Sequence, residues 1–502
     1  MSRRASRGRV EERKQETGDK DGSDFPAARA ARGRFRHVGR SRRAPRRQPR
    51  QLRRAVWTCS LGSALEYYDF ALYTLASALV FGPLFFPAQT AEMRLIASFG
   101  TYFVGFAVRP LGGVVFGVLG DRIGRKFVLT ATVLLMGVAS TLIGLLPTFA
   151  TAGYWAPALL VALRILQGLG AGAEQAGAAV LMTEYAPAGK RGIYASLPFL
   201  GIQLGTVLAA AVYFVMLANL GHVTDGWAWR VPFLCSAVIV AVGLYMRIRL
   251  HESPTFVRLE KRAQLAANPL KSAMRHSRPT LLVGIGLRMA ENGGSSIYQA
   301  LAVSYLAGVI GLKGPIGALA LVCAATVGAC TVPLAGRLSD RFGRVRVYRG
   351  FAWLQLALAF PVWWIFSQGN VVASLVAISI AQGFANWGML GAQAALLPEL
   401  FGARHRYMGV SFSREVSAVL AGGIAPLVGA MIIAAVIVLH GGDHAAGVLA
   451  WVPIAAYLAV LTLITLFATA RMPETLNRDL DDPLDAIEAQ PAPAADRLAR
   501  QA

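Results

Sequence analysis

The sequence predicts an all-α membrane protein of twelve transmembrane helices in two pseudo-symmetric six-helix bundles. The first observation behind this is a charged turn written twice. Gly117-Val-Leu-Gly-Asp121-Arg-Ile-Gly-Arg125-Lys126 returns 219 positions later as Gly336-Arg-Leu-Ser-Asp340-Arg-Phe-Gly-Arg344. Other landmarks recur near the same offset: Glu66 with Glu291, Gln167-Gly168 with Gln382-Gly383, Glu184 with Glu399, Arg191 with Arg406. The second observation is composition, 55% hydrophobic, 15% charged and 52 glycines in 502 residues, against roughly 25% charge in a soluble chain. An apolar chain built from a long repeat suits two rigid bundles rocking about a shared cleft.

The elements follow in order. Apolar blocks of the length needed to cross a roughly 30 Å hydrocarbon layer fall at 56–80, 97–118, 127–147, 155–182, 196–220 and 229–249. The second six are 280–307, 315–335, 347–366, 371–397, 409–439 and 447–471. Continuous Leu, Ala and Gly runs without polar alternation favour helices over barrel strands. The domains expected are a basic cytosolic tail 1–54, bundles 55–250 and 280–471, a cytosolic loop 251–279 and a cytosolic tail 472–502.

Loop charge sets the expected orientation, because short cytoplasmic loops are rich in Lys and Arg. Loops 120–126, 184–191, 247–278, 341–349 and 402–406 each carry two or more, whereas the alternate loops hold only Arg94 and Lys313. Both termini are therefore expected in the cytosol of a cell bounded by this plasma membrane. The first 54 residues hold 19 Lys or Arg against 6 Asp or Glu, and no apolar run precedes Ala55, which argues against a signal peptide. Such an arm suits anionic lipid; a tail that enforces orientation, or a start codon placed too far upstream, explains it more plainly.

Enzyme motifs are missing. There is no phosphate-cradling Gly-x-x-x-x-Gly-Lys-Ser/Thr loop, zinc helix or nucleophile elbow. Cys59, Cys235, Cys323 and Cys330 lack metal-ligand spacing and read as packing residues. No cofactor, metal or nucleic acid is expected, and active transport then runs on an ion gradient.

Ionisable groups at membrane depth cost several kcal/mol if they face lipid, so they must face one another or water. Glu66, Asp69 and Tyr73 share one face of the first span at i, i+3, i+7. Arg109 sits mid-span in the second. Arg164, Gln167 and Glu174 stripe the fourth, and Arg288, Glu291, Ser295 and Tyr298 the seventh. Gln382, Asn386, Met389 and Gln393 stripe the tenth. Counting rise from the span ends brings Asp69 and Arg164 to nearly one level, so a pair is expected in which Arg164 governs whether Asp69, and with less weight Glu66, holds a proton. A permanent ion pair is the plainer reading.

At this point a resemblance is plain. The paired turns, with Gly62-Ser-Ala-Leu-Glu66-Tyr-Tyr-Asp69-Phe-Ala-Leu-Tyr73, Val108-Arg-Pro-Leu-Gly-Gly113, Arg164-Ile-Leu-Gln-Gly168, Glu184-Tyr-Ala-Pro187, Trp229-Arg-Val-Pro-Phe233 and Leu397-Pro-Glu-Leu-Phe401, resemble the major facilitator superfamily and its metabolite:proton symporters. That resemblance covers about residues 55 to 475. It implies alternating access, inward movement of substrate with protons, and substrates such as shikimate, 2-oxoglutarate, citrate, proline or betaine. Arg109, Arg164 and Arg288 suit a carboxylate, which a guanidinium binds through two parallel hydrogen bonds. Gly172-Ala-Glu174 departs from the family's usual Gly-Gly-Glu, and no C-terminal coiled coil marks an osmosensor.

The copied turns also resemble the superfamily's cytosolic latch. Asp121, Arg122 and Arg125 are expected to reach Glu184, Arg191 and Glu252, while Asp340, Arg344, Glu399, Arg406 and Glu474 form the equivalent set. The function expected is import of a small organic acid or related polar metabolite by a monomer in lipid. A proton-driven exporter of drugs or metabolites is the alternative. A flux-free nutrient sensor and a membrane-tethered nucleic-acid binder are remoter ones.

Overall fold

The structure is a computed structural model that describes residues 48–488 except 124, 173, 188, 221–226, 250–276, 313, 404–405 and 483. The side chains of 48–51, 54, 58, 117–129, 174–175, 220, 239, 242–249 and 314 lie outside the description as well. Among the described residues there is no strand and there are twelve long helices. The first six are α1 (Gln48–Leu79), α2 (Ala91–Ala107 continuing as Arg109–Ile123), α3 (Arg125–Leu145), α4 (Trp155–Ala171, then Glu174–Tyr185), α5 (Arg191–Leu220) and α6 (Val231–Arg249). The second six are α7 (Arg278–Ser296 and onward), α8 (Gly314–Phe342), α9 (Arg344–Ser367), α10 (Val371–Ile378 through Trp387–Leu400), α11 (Arg406–Ser417 through Ile424–Leu439) and α12 (Trp451–Ala470).

Eight of these are long and apolar enough to cross a membrane by themselves. In α1 and α7, which correspond in the repeat, Glu66 with Asp69 and Arg288 with Glu291 dilute the apolar run. α3 and α6 are described only in part, over the apolar stretches Thr130–Leu145 and Ala228–Val238. Those four charged groups of α1 and α7 are buried inside the bundle.

The two bundles meet along α5 against α8 and α2 against α11. The α5–α8 contact is close because it is made by glycines. A Cβ on Gly192 would stand 2.2 Å from the Gly336 carbonyl oxygen, and one on Gly336 2.6 Å from that of Gly192. The copied turn therefore needs its glycine for contact with the other bundle.

The bundles also differ in backbone. In the second, α7, α10 and α11 contain wide turns with i→i+5 hydrogen bonding at Ile297–Ala302, Tyr305–Val309, Ser379–Asn386 and Ala418–Gly423. Such turns are uncommon and gather at functional sites. Among the described residues the first bundle has none.

Of the cysteines expected to pack, Cys59, Cys235 and Cys323 are half-buried, but Cys330 is exposed on α8. It fills no gap in the core.

Candidate functional site

At the centre lies a cavity of about 40 Å³ lined by Tyr67 on α1, Arg109 on α2, Arg288, Glu291 and Ser295 on α7, and Arg414 with Glu415 on α11. Three guanidinium groups and two carboxylates line it, and a third carboxylate, Glu66, stands behind Arg109. Arg109 Nε is 3.2 Å from Glu415 Oε2, and its Nη2 is 3.6 Å from Glu66 Oε1. Arg288 Nη2 is 3.1 Å from Glu291 Oε2. With every group ionised the cavity carries equal numbers of positive and negative charges. At depth this balance matters, because an uncompensated buried charge costs several kcal/mol.

Two of the three cavity arginines, Arg288 and Arg109, are held differently. All three nitrogens of Arg288 donate to fixed partners: Nε to Ser417 Oγ at 3.2 Å, Nη1 to Gln393 Oε1 at 3.0 Å and Nη2 to Asn292 Oδ1 at 3.0 Å. Arg109 Nε and Glu415 Oε2 are close enough to pair by charge but make no aligned hydrogen bond. Arg109 also lies over the rings of Phe70 and Phe106, at 5.6 and 5.5 Å from their centroids.

Behind an aromatic wall of Phe70 and Tyr102 is a second polar cluster, wholly in the first bundle. Arg164, 1% exposed, lies 3.8 Å above the Tyr73 ring and donates through Nη1 to Gln167 Oε1. Gln167 Nε2 donates to Ser140 Oγ at 2.8 Å. Asp69 takes a hydrogen bond from Ser236 Oγ on α6 at 2.6 Å, and Ser140 reaches the same carboxyl. The expected Asp69–Arg164 ion pair is therefore absent among the described residues. Ser140 and Gln167 stand between the two, because Arg164 is drawn onto the tyrosine face. Its Nε and Nη2 have no hydrogen-bond partner. Gly105 makes room for it, since a Cβ there would stand 2.2 Å from Arg164 Nε.

The remaining predicted residues divide. Glu66 joins the cavity through Arg109. Gln382 donates to Ser295 Oγ at 3.2 Å and so supports the cavity wall. Asn386 instead braces α7, donating to the Ala290 and Glu291 carbonyls and to Gln355 Oε1. Tyr298 is fully buried away from the cavity, with no partner for its hydroxyl. The Glu174 side chain lies outside the described residues. Arg414 and Glu415 escaped sequence reasoning, although two charges inside the apolar block 409–439 were the signal.

The end of the bundle carrying the second copied turn is closed by charge. Asp340 accepts from the Gly192 and Ile193 amides at 2.8 and 2.9 Å, at the positive N-terminus of α5. It also accepts from Arg344 Nη1 at 2.7 Å, while Arg344 Nε lies 3.1 Å from Glu399 Oε2. Glu474 accepts from the Arg344 and Val345 amides at 2.6 and 3.2 Å, capping α9. Arg191 Nη1 is 3.7 Å from Glu399 Oε1, and Arg406 Nη1 is 3.0 Å from Glu184 Oε1. Arg191 with Glu399 and Arg406 with Glu184 thus link across the halves, beyond the sets expected within each half. Asp121, Arg122, Arg125 and Glu252 lie outside the described side chains.

Residues after α12 add a strap that sequence reasoning missed. Arg191 donates to the Arg478 carbonyl at 2.6 Å, Arg478 Nη1 to that of Glu399 at 2.7 Å, and Gly402 N to Asp485 Oδ1 at 2.9 Å. At the opposite end of the bundle His444 Nδ1 is 2.8 Å from Glu92 Oε1. Cross-bundle contacts at both ends enclose the cavity.

A multi-pass helical protein with a charged cavity at its centre and a charged closure at one end is a carrier. Residues 59–414 match the Major Facilitator Superfamily, and the chain belongs to that family; it is a transporter, not an enzyme. Among similar proteins is the Inner membrane metabolite transport protein YhjE of Escherichia coli (strain K12), 37% identical over 444 residues, 86% of this chain and 97% of that one. The Shikimate transporter of the same organism is 36% identical over 386 residues, 76% of this chain and 88% of that one. The crystal structure of a D-xylose-proton symporter superposes with a TM-score of 0.65 over 85% of this chain and 99% of that one. At 18% identity that likeness establishes the fold alone.

Proposed function

We propose that the chain imports a small organic acid together with protons, as a monomer in the inner membrane with both termini in the cytosol. Bundles 55–250 and 280–471 rock about the central cavity, joined by 251–279. The observation that carries this reading is the balance of Arg109, Arg288 and Arg414 against Glu66, Glu291 and Glu415. A carboxylate entering a neutral cavity brings an uncompensated charge. A proton arriving with it cancels that charge, so the two move together. Asp69, with Ser140, Ser236, Gln167 and Arg164 around it, is the proton site this reading favours, and Ser295, Asn292 and Gln299 offer partners for hydroxyls on the substrate.

The cavity of about 40 Å³ holds a few waters, whereas ligand pockets run to roughly 300–1,000 Å³. The substrate therefore enters a state in which one end has opened. On this reading the cluster around Asp340 and Glu399 is the cytosolic latch, since it sits at the end with the Lys- and Arg-rich loops.

Uptake into reconstituted vesicles tests the reading, with labelled shikimate, 2-oxoglutarate, citrate, protocatechuate and proline under an inward proton gradient. Gradient-dependent accumulation of one or more of the acids is expected. No accumulation, or accumulation indifferent to the gradient, sinks it; proton-driven loss of preloaded compound would mark an exporter.

A further inference from the structure

Glu415 has a place in the cavity that an ordinary structural carboxylate does not need. It is 6% exposed, it projects from α11 of the second bundle, and its charge partner is Arg109 on α2 of the first. The pairing is close but unaligned, with no hydrogen bond between Arg109 Nε and Glu415 Oε2. Guanidinium groups bind carboxylates most strongly through two parallel N–H···O bonds, and Glu415 does not make them. Arg288 is the contrast, with Ser417, Gln393 and Asn292 each holding one of its nitrogens. Of the two, Arg109 is the one with bonding capacity to give to a carboxylate from outside.

We propose that Glu415 occupies the carboxylate subsite of Arg109 as a built-in anion, that the substrate's carboxylate replaces it there, and that this exchange releases α11 from α2. The inference rests on the organic-acid reading above. Arg109 keeps Glu66 as a neighbour in its own bundle throughout, so its charge is never left alone. The ion pair between the bundles is the one that the exchange removes. Binding of substrate thereby loosens the α2–α11 contact at the cavity, which a carrier needs before its other end opens.

The test uses purified full-length protein and dissociation constants for shikimate, 2-oxoglutarate, citrate and protocatechuate, each beside its methyl ester. Glu415→Gln should lower the constant for a bound acid about tenfold, the effect of about one charge-assisted hydrogen bond gained, and leave the ester unchanged. Glu415→Asp, which keeps the charge but withdraws it by one methylene, should lower it less, and it decides the matter if the Gln variant does not fold. Glu291→Gln makes the same change in net charge and should gain far less. Equal gains at 415 and 291 would reduce the effect to net charge and overturn the subsite. Weaker or unchanged acid binding in the 415 variants also overturns it, while the organic-acid reading survives. If no acid binds the wild-type protein, both fall.

Discussion

Arg406 and Glu184 stand 222 positions apart in sequence, yet Arg406 Nη1 lies 3.0 Å from Glu184 Oε1 and so ties the start of α11 to the end of α4. Arg406 is anchored on its own side by the Pro398 carbonyl at 3.2 Å. The contact therefore joins one bundle to the other across the closed end.

Arg406→Ala should shift the conformational balance toward opening at that end by a modest amount. Glu184 is 25% exposed in its side chain, and a pair of this kind contributes about 1 kcal/mol, or roughly a fivefold change in population. Spin-label distances across the end would read it. The double exchange Glu184→Arg with Arg406→Glu should recover part of the closure, and no recovery would assign the effect to lost packing.

Asp340→Asn should act more strongly. The carboxylate accepts two amides from α5 and one guanidinium nitrogen from α9, and removing one member of a buried pair costs about 3–5 kcal/mol. The expected result is a protein held open at that end, with labelling of cysteines placed along α5 increased and net transport largely lost. Wild-type labelling would show that the closure does not depend on this residue.

Truncation after Thr475 tests the strap. It removes the Arg478 contacts with Arg191 and Glu399 and the Asp485 contact with Gly402. Opening at that end should become more frequent while the helices keep their thermal stability. A fall in stability with no change in opening would make the strap an element of folding alone.

Gly105→Ala should disturb the Arg164 cluster with little change elsewhere. The new methyl would stand 2.2 Å from Arg164 Nε, and overpacking of this size costs about 1–3 kcal/mol unless the guanidinium moves. Movement lifts it from the Tyr73 ring and from Gln167. Gradient-driven accumulation is then expected to fall more than exchange does, as measured in the same vesicles.

Asp69→Asn should abolish uphill accumulation and spare exchange. Ser236→Ala, which removes the 2.6 Å donor to Asp69, should give a weaker version of the same defect. Unchanged accumulation in Asp69→Asn would take this carboxyl out of the coupling path.

The helices and their membrane character were legible because both depend on local composition: blocks of about twenty apolar residues, repeated with one charged turn. Asp340, Arg344, Glu399 and Glu474 were also legible as a set, since the turn and its partners recur. Hidden from view were pairings set by packing. Asp69 sits with Ser236 on α6, a serine indistinguishable in sequence from any other. Asn386 looked like a cavity residue from its stripe, but the wide turns at 379–386 change the helix phase and point it at the α7 backbone.

The sequence by itself determined the twelve-helix duplicated architecture and most of the residues that carry buried charge, Arg414 and Glu415 excepted, because hydropathy and ionisation are properties of each side chain. Only the tertiary structure decided which charge meets which. Arg109 with Glu415, Arg406 with Glu184 and Arg191 with Glu399 all join the two bundles, and no spacing along the chain encodes a contact between helices brought together by packing. Electrostatic energy depends on a few ångströms of separation, a distance that exists only once the bundles have met.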